Sequence, residues 1–250
     1  MIRAFYNARS GLNAHQEHMN VLSNNMANVN TVGFKSQRVS FTDLVYQNIN
    51  RETAENPAMI GHGVRINKTD LIMGQGALTP TDRRLDFALT RQGDFFAVEN
   101  AAGDVHFTRA GNFVISQDEA GSWFLSAPNG DRILNSDMEH VELVLMNEDG
   151  EEDETGFLNV DINEIGIFRF DNPYGLLLMG NNRFAESGNS GEAEMVEPEQ
   201  RQIIEGVLES ANVDIGTEMV RVIEASRAFG LNSRMVQVAD EIEQTVNALR

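Results

Sequence analysis

Both ends of the chain carry the feature that most constrains its fold, a seven-residue repeat of apolar side chains. Near the N-terminus the repeat consists of Phe5, Leu12, Met19 and Met26, with Leu22 alongside. The segment near the C-terminus contains two such repeats. One consists of Ile215, Val222, Phe229 and Val236, and the other of Met235, Ile242 and Leu249. This spacing is typical of amphipathic helices. We predict one helix that ends within residues 24–33 and a long second helix over residues 217–248.

The middle of the chain has a different pattern, in which short apolar runs alternate with turn-forming residues. The runs are 95–98, 105–108, 112–115, 123–125, 141–145 and 165–170. Closely spaced runs of this kind indicate antiparallel strands. We therefore predict a mainly β protein with terminal α-helices, in which a central antiparallel β-barrel or sandwich is flanked by N- and C-terminal coiled-coil-forming helices.

These patterns predict how the chain divides into domains. Residues 1–46 and 205–250 would form a discontinuous helical assembly domain, residues 47–63 a linker, and residues 64–204 a β-rich domain that faces outward. Residues 186–202, rich in Asn, Gly, Glu and Pro, are predicted as a long loop. The apolar repeats can pack on each other within one chain or between copies, and the sequence leaves both arrangements open. Repeats at both chain ends favour a self-assembling subunit.

The net charge of −19 is unevenly distributed along the 250 residues. Residues 1–46 carry +2, residues 47–204 carry −17 and residues 205–250 carry −4. So acidic a chain is a poor nucleic-acid binder. No apolar run is long enough to span a bilayer or to serve as a secretory signal, so we expect no membrane insertion and no cleaved signal peptide. The absence of cysteine excludes disulfides, thiolate nucleophiles and Cys-based metal sites.

Metal and cofactor motifs are weak in this sequence. His15 and His18 could share a metal ion, but a solvated polar helix face is the favoured interpretation. The acidic run 148–154 lacks the alternating ligand order of a calcium loop, so we interpret it as a solvated surface loop. We predict no catalytic residue, no cofactor and no metal site.

An enzymatic alternative would require carboxylates that converge. Asp82, Asp86 and Asp94 are the nearest candidates for a carboxylate hydrolase. Asp86 fits better as a structural hydrogen-bonding residue.

Two motifs form a pair, one near each end of the chain. The first is Ser-Asn-Asn-Met-Ala-Asn-Val-Asn-Thr-Val-Gly-Phe-Lys at 23–35, and the second spans 206–214 and 218–229. This pair resembles the terminal motifs of flagellar rod, hook and hook-associated proteins. Segments 85–98, 107–113 and 168–180 also resemble the family's middle motifs, in the same order. Ser226, Gly230 and Ala211 depart from the usual pattern. The chain length and single middle domain favour a rod protein over a longer hook protein.

The resemblance implies a structural subunit of the basal-body rod. The implied partners are copies of the chain, neighbouring rod and hook proteins, and the flagellar type III export apparatus. That apparatus would export the unfolded chain without cleavage of a signal peptide. The terminal helices would form a coiled-coil core, and the β-domain would face outward. A hook-type subunit, a secreted β-rich adhesin and a calcium-binding module remain the alternatives.

The resemblance also implies which residues act in assembly. Around the first helix and its exit turn they are Phe5, Leu12, Met19, Leu22, Asn24, Asn25, Met26, Asn28, Gly33 and Phe34. Around the second helix and its entry they are Leu208, Glu209, Asn212, Val213, Glu218, Met219, Val222, Ile223, Arg227, Phe229, Val236, Ile242 and Leu249. Asn side chains would satisfy backbone groups in the exit turn, where left-handed backbone is tolerated, and Phe34 would anchor it by burial.

Overall fold

The computed structural model describes residues 2–48, 59–118, 121–143, 145–146, 157–158 and 162–249. The chain forms two compact units. The first, called the helical unit, contains residues 1–27, 37–71 and 213–250. The second, called the β unit, contains residues 28–36 and 72–212. Among the described residues, neither helix is both long and apolar enough to cross a membrane.

Two long helices dominate the helical unit and confirm the two predicted helices. They are α1 (Ile2–Ala27) and α2 (Ile215–Ala248). The chain leaves α1 through a turn that ends at Gly33, which has a φ of +66°. At the other helix, Asp214 caps the N-terminus by accepting hydrogen bonds from the backbone N–H groups of Gly216 and Thr217.

A β-ribbon completes the helical unit. Its strands are β1 (Gln37–Asp43), β2 (Tyr46–Asn48), β3 (Met59–Gly61) and β4 (Val64–Leu71). β1 pairs antiparallel with β4, with Val39 opposite Thr69, and β2 pairs antiparallel with β3. A register shift between Ser40 and Phe41 interrupts the longer ladder. The predicted linker 47–63 includes residues 49–58, which lie outside the described residues.

The β unit contains the remaining strands, all of them short. They are β5 (Leu78–Pro80), β6 (Phe87–Leu89), β7 (Asp94–Glu99), β8 (Val105–Thr108), β9 (Val114–Gln117), β10 (Trp123–Ser126), β11 (Arg132–Ile133), β12 (Glu142–Leu143), β13 (Leu145–Met146), β14 (Phe157–Leu158), β15 (Ile167–Arg169), β16 (Leu177–Gly180), β17 (Arg183–Ala185), β18 (Glu194–Met195), β19 (Ile203–Glu205) and β20 (Val207–Glu209). Three 3₁₀ turns lie at Ile162–Glu164, Pro173–Gly175 and Pro198–Gln200. The predicted acidic loop 148–154 lies outside the described residues.

Most of these strands join one antiparallel sheet. Its main path is β12-β10-β11-β7-β8-β17-β16, with β15, β18 and β9 attached to it. Separate from this sheet, the described residues of the β unit also form the two-stranded antiparallel ribbons β19-β6, β20-β5 and β13-β14. The path ends at β12 and β16 without joining them, so of the two predicted architectures the barrel is wrong for the part of the chain described, and the sandwich stays a prediction. The antiparallel β prediction is confirmed.

Strand β7 lies at the centre of the β unit, and side chains on both of its faces are buried. Phe96 and Val98 belong to the main apolar core with Phe113 and Leu125. The alternate residue Phe95 is also buried. On that second face, an aromatic cluster consists of Phe95, Phe107, Phe168, Phe170 and Phe184, with ring centroids 4.8–5.9 Å apart. A continuous Phe-Phe-Ala-Val run, with no polar alternation, is the sequence of a strand covered on both sides.

Candidate functional site

Within the helical unit, α1 and α2 run antiparallel along a seam of small residues. Residues Ala8, Gly11, Ala14, Leu22 and Asn25 are buried on α1. A Cβ atom at Gly11 would stand 2.9 Å from Nδ2 of Asn232, so the Asn232 side chain of α2 packs directly against α1 at this point. Ala225 is the buried apolar residue of α2. The absence of a side chain at Gly11 leaves the space that Asn232 occupies.

The predicted apolar repeats flank this seam. On α1 the repeat residues Phe5, Leu12, Met19 and Met26 are half-buried. On α2 the same is true of Val222, Phe229 and Val236. The helices therefore pack within one chain, which is one of the two arrangements left open by the sequence. The buried positions of α1 include three small residues, Ala8, Gly11 and Ala14, together with Leu22 and Asn25.

A polar cluster fixes the register at one end of the seam. Asn25 donates from Nδ2 to Oε2 of Glu218 at 3.3 Å and to the carbonyl of Gln37 at 2.8 Å, and its Oδ1 accepts from the Gln37 N–H at 2.9 Å. Arg221 donates to Oε1 of Glu218 at 2.6 Å. Asn25 thus connects α1, α2 and the start of β1, and the buried Glu218 carboxylate has a charged partner.

The outer side of α2 carries a row of exposed apolar residues, here called the α2 stripe. It consists of Leu231, Met235, Val238, Ile242, Val246 and Leu249, each three or four residues after the last. This spacing places them on one helix face. Leu231 is 63% exposed and Leu249 85% exposed. Residues 240–249 are exposed throughout, so the last turns of α2 have no covering side chains from the described residues.

A buried charge cluster lies in the β unit, where three sequence motifs meet. Nζ of Lys35 lies 2.7 Å from Oε1 of Glu209, and Nη2 of Arg109 lies 2.7 Å from Oε2 of Glu209. The three side chains are only 1–2% exposed. Burial lowers the pKa of Lys35, and the nearby Glu209 carboxylate opposes that effect. Because ions buried this deeply are costly when unpaired, each of the three depends on the others.

Backbone groups complete this motif cluster. Lys35 also donates to the carbonyl of Gly74 at 2.9 Å, and Glu209 accepts from the Gly76 N–H at 2.8 Å. Arg109 donates to the carbonyl of Asp94, at the start of β7, at 2.6 Å. The cluster therefore connects the exit turn, the chain before β5, the end of β20 and the central strand of the sheet.

Two further motif residues join the exit turn to the chain that leads to α2. Asn212 accepts from the Ser36 N–H at 2.7 Å and donates to the carbonyl of Ile72 at 2.6 Å. The Gly33 N–H donates to the carbonyl of Glu209 at 2.7 Å. A Cβ atom at Gly33 would lie 2.5 Å from the carbonyl carbon of Arg109, and its φ is positive, so the position requires glycine.

The structure thus brings together part of the predicted site. Gly33, Phe34, Glu209 and Asn212 meet in the β unit, and Asn25 meets Glu218 in the helical unit. Other predicted residues are dispersed: Asn28 interacts with Thr31 in the exit turn, Leu208 and Val213 are half-buried, and Asn24, Met219, Ile223 and Arg227 are exposed. Their predicted roles in assembly stay predictions.

Details of the exit turn differ from expectation. The residue with left-handed backbone is Gly33, and none of the three predicted Asn residues has a positive φ. Phe34 is half-buried, so its predicted role as the anchor of the turn stays a prediction, and the adjacent Lys35 is the deeply buried side chain. An ammonium group can occupy that position because Glu209 neutralises it.

Sequence reasoning missed Lys35 and Arg109 as members of the site. Both lie inside motifs that we identified, one after Gly33-Phe34 and the other between Phe107 and Phe113. The sequence signal that could have identified them is a charged residue next to apolar residues. Such a charged side chain is either exposed to solvent or paired with a buried partner. Glu209 follows Val-Leu in β20 and offers the same signal with the opposite charge.

The histidine pair of α1 is also different from its prediction. His15 and His18 pack against Phe41 of β1, with ring centroids 5.8 and 5.3 Å apart. Burial, followed by the charge of His15, lowers the pKa of His18. The predicted solvated face is therefore wrong. Within the described residues, no group of three or more His, Cys, Asp or Glu is arranged to hold a metal ion.

Two of the candidate carboxylates, Asp86 and Asp94, have structural partners, and Asp82 is exposed. Asp94 receives two hydrogen bonds from Arg169, at 2.7 and 3.1 Å, and Asp86 accepts one from the Thr81 hydroxyl at 2.7 Å. The structural role predicted for Asp86 is confirmed.

Comparison with known proteins agrees with this arrangement of motifs. Residues 5–35 match the family model for flagella basal body rod proteins, and residues 204–249 match the model for the flagellar basal body rod FlgEFG protein C-terminal region. The flagellar basal-body rod protein FlgG of Borreliella burgdorferi is 33% identical over 270 residues, covering 100% of this chain and 99% of its own length. FlgG of Bacillus subtilis is 33% identical over 269 residues, and FlgG of Caulobacter vibrioides 31% over 272 residues, each covering 100% of both chains.

The chain belongs to the family of flagellar basal-body rod proteins. Within that family it is FlgG-like, as the full-length similarity to several FlgG proteins shows. Its function is structural, as a rod component of the flagellar basal body, and it is not an enzyme.

Proposed function

We propose that the chain polymerises with copies of itself into the tubular rod of the flagellum, through the α2 stripe. The observation that supports this most strongly is the stripe itself, six apolar residues exposed on one face of α2. Exposed apolar patches of this extent in a monomer are typical of interaction sites. In the assembled rod the stripe would pack on helices of neighbouring subunits and form the predicted coiled-coil core.

Burial of the α2 stripe would favour assembly. A large apolar side chain contributes about 1.5–3 kcal/mol when it passes from full exposure to full burial. The six residues are 40–85% exposed, so each would contribute part of that amount against an association cost of about 4–15 kcal/mol. The seam between α1 and α2 stays within the subunit, so neighbouring subunits would use a face that is not already committed.

We further propose that residues 1–46 and 205–250 act as the assembly core and that residues 64–204 face outward. Residues 47–204 carry a charge of −17, which suits a hydrated surface and disfavours burial inside a tube. The resemblance of residues 41–47 to the distal rod protein supports a distal position in the rod. Other rod proteins and hook proteins would then be its neighbours, and the flagellar type III apparatus would export it to the periplasm unfolded and uncleaved.

Motility in cells that lack the chromosomal copy of the gene tests this proposal. Ile242→Glu places a charge in the α2 stripe, and Gln244→Glu places the same charge two residues away on the opposite face of α2. We expect Ile242→Glu to abolish motility and leave basal bodies without a complete rod, because the glutamate would have to be desolvated between subunits. Gln244→Glu should restore motility as the wild-type gene does.

Expression level and export must be equal for this comparison, and immunoblots of both variants establish that. Wild-type motility with Ile242→Glu, at equal protein level, would contradict the proposed role of the α2 stripe.

A further inference from the structure

The β unit ends in an edge strand with unusual surface chemistry. Leu177, Leu178 and Met179 of β16 are 54%, 47% and 50% exposed, and Tyr174 in the preceding turn is 68% exposed. Consecutive strand residues point to opposite faces of a sheet. Leu177 and Leu178 therefore expose apolar side chains on both faces. We call these four residues the β16 patch.

Only one edge of β16 is paired among the described residues. It pairs with β17, with Leu178 opposite the buried Phe184, and lies at the end of the sheet path. Exposed edges are usually protected by charges, prolines or bulges. Residues 177–180 contain neither a charge nor a proline, and the one protective feature is a register shift between Leu178 and Gly180.

The distribution of charge indicates what kind of partner would cover this patch. Residues 172–182 have no charged side chain, although residues 47–204 carry −17. Two copies of so acidic a chain repel each other across most of their β units. An uncharged apolar patch is a place where two copies can approach without opposing carboxylates. A basic partner would instead be attracted to the acidic surface.

We infer that the β16 patch is a second contact between copies of this chain, separate from the α2 stripe. This inference rests on the proposed polymerisation and adds a named surface to it. Four exposed residues form a smaller area than the roughly 800 Å² per partner of a standard interface. The patch therefore strengthens an assembly that α2 initiates, because a second contact within an assembly forms at high effective concentration.

Because the natural chain has no cysteine, a single introduced cysteine can report on the patch. Met179→Cys places the thiol in the β16 patch. Val105→Cys is the matched control, at an apolar position that is 39% exposed on β8 of the same sheet. The measurement is the rate of maleimide labelling of the purified full-length chain, as a monomer and after assembly. Sedimentation velocity over a range of concentrations establishes which samples are monomeric and which are assembled.

We expect assembly to slow the labelling of Met179→Cys at least tenfold while that of Val105→Cys changes less than twofold. In an independent measurement, Leu178→Asp should raise the concentration needed for assembly about tenfold or more, as expected for the loss of one buried leucine contact. Circular dichroism and the melting temperature of the monomer establish that each variant is folded.

Three results would overturn the inference. They are unchanged labelling of Met179→Cys in assembled protein, equal protection at positions 179 and 105, and a chain that stays monomeric at every concentration. The first two leave the proposed polymerisation intact if Ile242→Glu still prevents assembly. The third contradicts both.

Discussion

The two units of this chain bury their apolar side chains to very different extents. In the β unit, Phe96 and Phe113 are completely buried, with ring centroids 5.1 Å apart. In the helical unit, α2 buries one apolar residue, Ala225, and exposes the α2 stripe. A self-contained core gives stability to the single subunit, whereas an incomplete one leaves apolar surface for binding. The difference places the larger apolar core in the β unit and supports the proposal that α2 is the surface for assembly.

The largest expected effect comes from removing an aromatic side chain from the β-unit core. Phe96→Ala should lower the free energy of unfolding by about 3–5 kcal/mol, because it leaves a cavity against Phe113. Chemical denaturation of the monomer measures this change. The matched variant Ile242→Glu should change that free energy by less than about 0.5 kcal/mol, because Ile242 lies on an exposed helix face. Equal losses from the two variants would remove the distinction between the units.

A second prediction concerns the charge cluster of the β unit. Glu209→Gln leaves Lys35 and Arg109 buried without a carboxylate, so we expect a loss of about 3–5 kcal/mol in the free energy of unfolding. A triple variant, Lys35→Met, Arg109→Met and Glu209→Leu, removes all three charges and should recover most of that loss. If Glu209→Gln were as stable as the wild type, the cluster would have no role in holding the motifs together.

The smallest effect concerns the start of α2. Hydrogen bonds from the Thr217 side chain and backbone, and from the Gly216 backbone, lower the pKa of Asp214. A folded-state pKa below the unfolded value means that the stabilisation is complete above the ordinary Asp pKa and is lost as pH falls through the lowered one. The protection of the Gly216 and Thr217 amides against hydrogen exchange, corrected for intrinsic rates, should therefore fall in acid.

The control for this pH effect is Asp214→Asn, which keeps a cap that does not titrate. Its exchange at those amides, corrected for intrinsic rates, should not depend on pH in the same acidic range. The same acid dependence in both proteins would mean that another group is responsible.

The sequence predicted the elements whose signal is local. The heptad spacing of Phe5 to Met26 and the long apolar pattern that ends at Leu249 identified both helices, and the run 95–98 identified the central strand. Each of these patterns depends on the periodicity of one segment. The family motifs, read in order along the chain, identified the class of protein.

Other features depend on residues that are distant in sequence. The Lys35–Glu209 pair joins positions 174 residues apart, and a single sequence has no signal for such a pair beyond two charges in apolar surroundings. The barrel prediction failed for a similar reason, since closure depends on which edge strands meet. The apolar repeat had no signal for the buried positions Ala8, Gly11 and Ala14 of α1, because these small residues have little hydrophobicity of their own.

Hydrogen exchange measured by mass spectrometry on the monomer and on the assembled protein shows whether assembly covers the end of α2. We predict that peptides covering residues 240–249 exchange rapidly in the monomer and become strongly protected on assembly. Peptides covering β7 should be protected in both states. Strong protection of residues 240–249 in a strictly monomeric sample, or no gain of protection there on assembly, would contradict it.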